Sequence, residues 1–560
     1  MPMATTRPVT GLLNRIDRNL SRTGLVVGVI VFCLSLTPSL LPRTPVIQGL
    51  LSGTTFAFGY AIGAILQWIW DYIELGRPLG RYTRLFGLLV AVLCAVLVVV
   101  SLVQIVPWQN SVRAAMGEEP VQSGHPIQVV LVALLPALVL VTLGTLLVHS
   151  VQAVARRMKR YVPRRVALLL GIAFVGVVTA VLFNGVLLRF ALASADRFFE
   201  RLDTVAGQFG APPGNPLQSG SSASLVAWNT IGHDGRVYVE TGPSQEAIAA
   251  MIGRPAQQPL RVYVGLRSAP TLEERAQLAL KEMLRVGAFD RSVLVVIMPV
   301  GTGWVDPPSI DSLEYLMAGD VASVALQYSY LTSPLSLVVQ PDYGTDAAQA
   351  LFNVVYQYWT RMPHNRRPRL YLNGLSLGAN SSQASAQILD LFADPYDGAL
   401  WAGPPFTSSI WNYATANRDP GSPEWLPRFG NGSTIRFANR GAELAQPDTP
   451  WGPLRIAFLQ YPSDPIVFFD WASYRAEPAW MIGQRGPGVS PALNWYPLVT
   501  WLQLGMDMAL AQTSPIGYGH NYAIDDYIDA WRILVEPPGW DDAAIAQLKS
   551  RIADYPAGKP

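Results

Sequence analysis

The chain has only two cysteines in 560 residues, Cys33 and Cys94, and both lie inside apolar runs. That excludes a disulfide framework and a cysteine-built metal site. Charge is scarce as well. Only 14% of residues are Asp, Glu, Lys or Arg, the net charge is +2, and the basic residues cluster beside apolar segments. A nucleic-acid partner needs basic residues spread over a soluble face, so none is expected. Histidine is the third scarcity: His125, His149, His233, His364 and His520 are all there are. None stands in ligand spacing with Asp or Glu, and no Gly-x4-Gly-Lys phosphate loop occurs. No metal and no other cofactor is therefore expected.

What is abundant is apolar. Five stretches reach spanning length, 24–42, 47–70, 85–107, 127–148 and 166–193, and hold no charged residue until Arg189. About 20 apolar residues suffice for a helix to cross the hydrocarbon core. Residues 1–195 thus read as a bundle of about five transmembrane helices. No small-residue cleavage site follows the first stretch, so it reads as a retained anchor. Thirteen Lys and Arg flank one side of these spans, at 1–23, 71–84 and 149–165, against Arg43 and Arg113 on the other. The bias places the N-terminus in the cytoplasm and everything after 195 outside the cell membrane. His149 and Asn184 read as helix-contact residues rather than as a conduit, since ion paths are marked by intramembrane charges.

A Pro/Gly/Ser-rich stretch within 196–224 reads as a juxtamembrane linker, followed by a soluble domain over 225–550 and a short tail, 551–560. In the soluble half, apolar runs at 260–266, 292–300, 321–331, 369–373, 398–405, 434–440 and 454–461 alternate with helical patterns. That alternation predicts a mostly parallel sheet with helices on both faces. Within it, "RLYLNGLSLGANSSQAS" reads strand, Gly-x-Ser-x-Gly, helix. This is a nucleophile elbow, in which a sharp turn lifts a serine above the sheet. Ser376 is the candidate nucleophile.

A nucleophilic serine needs a base, and the base an orienting carboxylate, in the chain order Ser, acid, His. Only His520 lies downstream of Ser376. Asp464, in the Ser-Asp-Pro turn after the run at 454–461, is the preferred acid, with Asp470 and Asp507 as runners-up. The oxyanion hole needs backbone N–H groups from the residue after the nucleophile, Leu377, and from an early strand–helix loop. "MPVGTGWVDPP" supplies such a loop, and Thr302 between its glycines is the second candidate donor. Trp304 and Trp401 flank these elements and are candidate walls of an apolar acyl pocket. No clear strand is visible between Asp464 and His520.

The segments "SLVAWNTIGHDGRVYVE", "LRVYVGLRSA", "PVGTGWVDP", "GDVASVALQYSYL", "RPRLYLNGLSLGA", "DGALWAGPPF", "NRDPGSPEW", "LQYPSDPIV", "PLVTWLQ" and "GYGHNY" together resemble a bacterial family of membrane-anchored α/β-hydrolases. In that family a multi-pass N-terminal region precedes a hydrolase-like domain. The resemblance implies an α/β-hydrolase fold and a serine-hydrolase activity, and it implies no substrate. Relatives commonly carry an acidic residue before the serine, where this chain has Leu375. Three functions follow as expectations. The first is an esterase or lipase acting on a lipid or an acylated small molecule or glycan. The second is an acyltransferase using the same acyl-serine intermediate. The third is a non-catalytic sensor or partner of hydrolase fold.

Overall fold

The computed structural model describes residues 20–74, 83–187, 210–331, 341–385 and 394–552, with single positions between 194 and 203. Five of the flanking basic residues, Arg7, Arg15, Arg18, Arg77 and Arg81, lie outside the described residues, as does Arg189 near the end of the fifth apolar stretch. The chain divides into two compact units, Met1–Leu188 with Asp470–Leu510, and Arg189–Phe469 with Ala511–Pro560. The boundaries expected from the sequence did not set 470–510 apart from the soluble half.

The first unit contains helices α1 (Arg22–Ser35), α2 (Pro45–Tyr72), α3 (Thr83–Val103), α4 (Ile105–Ala115), α5 (Pro126–Met158) and α6 (Arg164–Ala180). Four segments are long and apolar enough to cross a membrane: Pro45–Tyr72, Leu85–Ala115, Pro126–Met158 and Arg164–Phe183. The first of the five expected spans is the exception. Helix α1 has only 14 residues, about 21 Å at ~1.5 Å per residue, against a hydrocarbon core of roughly 30 Å. Pro38 and Pro42 follow it, and proline cannot continue a helix. Small residues let α1 and α2 pack closely. A Cβ added at Gly63 would lie 2.6 Å from the Thr23 carbonyl oxygen, and one at Gly59 2.9 Å from that of Val27. Close backbone approach of this kind is how helices associate where water supplies no hydrophobic drive.

The insertion 470–510 docks on the ends of these helices through polar side chains. Its helix, Val499–Ala509, carries Gln503 and Asp507, both fully buried. Gln503 Nε2 donates to the carbonyls of Ser35 (3.3 Å) and Thr37 (3.0 Å). Asp507 accepts from the Leu40 N–H through Oδ2 at 3.1 Å and from Arg43 Nε through Oδ1 at 3.1 Å, and Arg43 Nη2 lies 3.0 Å from the same Oδ1. The Ser39 hydroxyl also donates to Asp507. Elsewhere in the insertion, Ser490 Oγ lies 2.5 Å from Ser111 Oγ on α4.

The second unit is built on seven parallel strands: β1 (Leu260–Val264), β2 (Val293–Met298), β3 (Val321–Leu326), β4 (Arg369–Leu375), β5 (Gly398–Ala402), β6 (Ile435–Ala438) and β7 (Arg455–Leu459). Their order across the sheet is β1-β3-β2-β4-β5-β7-β6. Six fall within runs read from the sequence, and β4 continues two residues past the run at 369–373, through Gly374 to Leu375. Continuous burial along β1, β2, β3 and β5 explains why these runs are mostly apolar rather than alternating; the exceptions are buried and partnered, Arg261 by Asp311 and Glu314 and Ser323 by Tyr238. Helices α7 (His233–Glu240), α8 (Leu272–Val286), α9 (Pro307–Leu316), α10 (Pro341–Arg361), α11 (Leu377–Ser385) and α12 (Ile524–Val535) are the ones that matter below. Helix α8 starts where Thr271 and Glu274 cap each other's backbone, satisfying two orphan N–H groups. Right-handed crossovers send the chain from β2 toward β3 but from β4 toward β5. The strand order therefore reverses between β2 and β4, and the carboxyl ends of these two adjacent strands form a topological switch point, the place where sheets of this kind bind ligands. Among the described residues no strand lies between Asp464 and His520.

Candidate active site

The turn at Ser376 is set by two steric requirements. A Cβ at Gly374 would lie 2.5 Å from the Gly378 carbonyl carbon, and one at Gly378 would lie 2.1 Å from the Met298 carbonyl oxygen at the end of β2. Neither position accepts a side chain, so α11 can start directly on top of β2 and β4. Between them Ser376 adopts φ 56°, a left-handed conformation that costs a non-glycine residue about 1 kcal/mol or more. Neighbouring contacts hold it there. Its N–H donates to the Ala402 carbonyl at 3.0 Å and its carbonyl accepts the Asn380 N–H at 3.1 Å. Leu377 opens α11, and its N–H has no acceptor among the described residues.

The next strand over brings in the histidine. Gly403 follows β5 with φ 50°, and a Cβ there would lie 2.6 Å from His520 Cε1. The imidazole thus borders residue 403 while the Ser376 backbone is bonded to residue 402. Both groups stand at the carboxyl end of the sheet, at neighbouring strands about 4.8 Å apart. His520 Nδ1 is 2.7 Å from Asp464 Oδ2, and the backbone N–H of His520 donates to the Ala511 carbonyl at 3.0 Å. Its Nε2 is buried with no hydrogen-bond partner among the described residues.

Asp464 is fully buried at the turn after β7. It accepts three hydrogen bonds: from His520 through Oδ2, from the Tyr522 hydroxyl to the same oxygen at 2.8 Å, and from the Ile466 N–H to Oδ1 at 2.9 Å. Three donors on one carboxylate fix its orientation. Burial, then the neighbouring Asp464 charge, pushes the Tyr522 phenol well up from its ordinary range, so it serves only as a neutral donor. Its ring stacks on Tyr461 at 4.5 Å and meets the imidazole edge-on at 5.8 Å. The runners-up are occupied elsewhere. Asp470 caps a 3-10 turn through the Ala472 N–H, and Asp507 pairs with Arg43.

Thr302 lies in the loop after β2, the strand that pairs with β4. The loop is held from behind by three side chains of the surrounding elements. The Thr302 hydroxyl donates to Asp234 of α7 at 2.5 Å, Gln327 Nε2 donates to the Thr302 carbonyl at 2.9 Å, and the Tyr263 hydroxyl to the Gly303 carbonyl at 2.7 Å. A tight turn closes it, Gly303 N–H to Val300 carbonyl at 2.8 Å. The Thr302 N–H has no acceptor among the described residues. Burial raises the Asp234 carboxyl from its ordinary value, opposed by the Thr302 hydrogen bond.

The two candidate pocket tryptophans separate. Trp304 is half-buried beside this loop. Trp401 is fully buried within β5, its indole N–H bonded to Ser382 Oγ at 3.0 Å and its ring 5.4 Å from Phe458. A ring enclosed between strand and helix presents no face to a pocket, so its place is in the core.

Four groups at the site escaped the sequence reading. Tyr522, Gly403 and Asp234 contact the machinery directly. Asp306, at the start of α9, is half-buried with its Oδ2 enclosed, and its pKa is pushed up to about 7 by enclosure of the carboxyl and by Asp311, against the opposing influence of Tyr527 and His520. Prolines at the first helical positions deny its carboxyl the usual capping N–H groups. Only Tyr522 carried a usable signal, as part of the same "GHNY" run as the histidine.

Comparison with known proteins adds two matches. A family described as "Alpha/beta-hydrolase family" matches residues 260–548, and one described as "Alpha/beta-hydrolase family N-terminus" matches residues 36–243. No curated protein and no solved structure matches the chain.

Proposed function

Since the chain belongs to the α/β-hydrolase family, we propose that it is a serine hydrolase working through an acyl-Ser376 intermediate. The observation that carries this reading is the 2.7 Å contact of Asp464 with His520, one strand away from a serine held at φ 56°. In the proposed reaction Ser376 Oγ attacks an ester carbonyl while His520 Nε2 takes its proton. Asp464 holds the Nδ1–H and stabilises the imidazolium. The N–H groups of Leu377 and Thr302 receive the oxyanion. The leaving alcohol departs with the proton from His520, and a second hydroxyl compound attacks the acyl-serine with the same base.

A substrate of lipid or acylated envelope character fits an enzyme whose chain carries four membrane-spanning segments. The acyltransferase reading, in which the second hydroxyl is not water, draws support from the burial of Ser376 (6% exposed) and His520 (5% exposed), because transfer requires exclusion of water. An orientation with the hydrolase half outside the cell also has support. The insertion 470–510, which comes from that half of the chain, bonds to Ser35, Thr37, Leu40, Arg43 and Ser111. Arg43 and the neighbourhood of Ser111, at Arg113, are on the side that the Lys/Arg bias makes the outer one, and Ser35, Thr37 and Leu40 stand at the adjoining end of the first apolar stretch.

The test is fluorophosphonate labelling of membranes carrying wild type, Ser376→Ala or His520→Ala, with an ester substrate offered with and without an acceptor alcohol. Labelling lost in Ser376→Ala is the expected result, and the products then distinguish hydrolysis from transfer. A folded wild-type protein that resists labelling would refute the catalytic reading in favour of a non-catalytic partner.

A further inference from the structure

The insertion 470–510 has a surface that its packing does not explain. Its buried side is tied to α1, the α1–α2 connection and α4 by the bonds described above, all at one end of the apolar helices. Its outer side exposes Trp471 (62%), Tyr474 (50%) and Ile482 (65%). Trp471 and Tyr474 begin and end a 3-10 turn, Trp471–Tyr474, in which residues three apart project on the same side. The Trp471 ring lies 6.2 Å from that of Trp501 on the insertion helix. Exposed Arg475 lies over the Tyr474 ring at 5.7 Å. In water such a group exposes apolar area at a free-energy cost. At a bilayer surface it is favourable, because Trp and Tyr place an apolar body among acyl chains and a polar edge among headgroups, while Arg meets phosphate. The unit that carries it is itself the membrane-spanning one, so a bilayer is adjacent without any further partner.

We propose that Trp471, Tyr474 and Ile482 form an interfacial anchor that docks the insertion into the phospholipid headgroup layer of the membrane its own unit spans. The occupant of this surface is bilayer phospholipid. The proposal does not depend on catalysis by Ser376 and can be tested without any substrate.

The full-length wild-type protein would be reconstituted in phosphatidylcholine/phosphatidylglycerol nanodiscs containing a phospholipid with a photoreactive diazirine near its headgroup. Adducts mapped by mass spectrometry to 471–482, and none on the exposed Tyr413 region of the hydrolase unit, are expected. A second measurement uses spin labels at Trp471→Cys, Tyr474→Cys or Ile482→Cys in a Cys33→Ala/Cys94→Ala background. Each label should collide with a water-soluble nickel chelate several-fold less often than one at Tyr413→Cys, and with oxygen more often. Chelate collision equal to that at Tyr413→Cys, with no lipid adducts, overturns the proposal. Shielding from both chelate and oxygen overturns it too, since that result marks protein contact instead of lipid.

Discussion

Removing the Asp507 carboxylate should release the insertion from the membrane helices, and the structure sets the size of the effect. Asp507 and Arg43 are buried to 0% and 1% side-chain exposure, 3.0 Å apart. The carboxylate also takes the Leu40 N–H and the Ser39 hydroxyl. Asp507→Ala leaves a guanidinium, an amide N–H and a hydroxyl buried without their acceptor. Breaking a buried pair from one side typically costs about 3–5 kcal/mol, which is a factor of roughly 10² to 10⁴ in a local opening equilibrium. Hydrogen exchange of the Val499–Ala509 amides in nanodiscs reads that equilibrium directly. Exchange there should accelerate by that factor, while amides of β2 and β4 in the other unit stay unchanged. The pair Arg43→Met/Asp507→Leu should recover most of the protection, because replacing both charges by apolar groups removes the orphaned ion. If Asp507→Ala changes exchange by less than about tenfold, the carboxylate is not the tie described here.

Other expectations concern the candidate site. Tyr522→Phe removes one of three hydrogen bonds to Asp464; a bond to a charged group is worth about 1.5–3 kcal/mol, and ester turnover should fall about tenfold or more with KM little changed. Gly403→Ala places a methyl 2.6 Å from His520 Cε1, so fluorophosphonate labelling should slow sharply in a protein whose exchange pattern in β1–β3 is that of wild type. Asp234→Ala and Thr302→Val each release the loop after β2; each should lower kcat, and the double variant should be no worse than the stronger single one. Asp306, at about 7 when folded against an ordinary 3.8, favours the folded state most while it is protonated. Its contribution is fully present below about pH 4 and is lost as pH rises through about 7. Resistance to unfolding should therefore drop more between pH 5 and pH 8 in wild type than in Asp306→Asn, measured by thermal scans in the same detergent.

Much of the fold was legible because its signals are local. Parallel strands buried on both faces leave mostly apolar runs without strict alternation, and seven such runs mark the seven strands. Gly374 and Gly378 stand close to Ser376 because α11 must lie against β4 and β2, so a short string records a tight steric fit. Length in the membrane half was less legible. The first apolar stretch runs on past Ser35, but prolines end the helix there. The insertion was not legible beyond the lack of a clear strand between Asp464 and His520; nothing in the order of residues says that Asp507 meets Arg43.

The sequence by itself determined the two kinds of chain, the strand–helix alternation, the serine turn and, by scarcity, the one histidine downstream of it. Those features rest on short-range sterics, burial period and simple counting. Only the tertiary structure decided which carboxylate meets that histidine, that Trp401 is a core ring, that Tyr522 and Asp234 brace the candidate machinery, and that 470–510 belongs with the membrane helices. Each depends on strand order and on contacts between residues far apart in the chain, where no local periodicity records which partner is met.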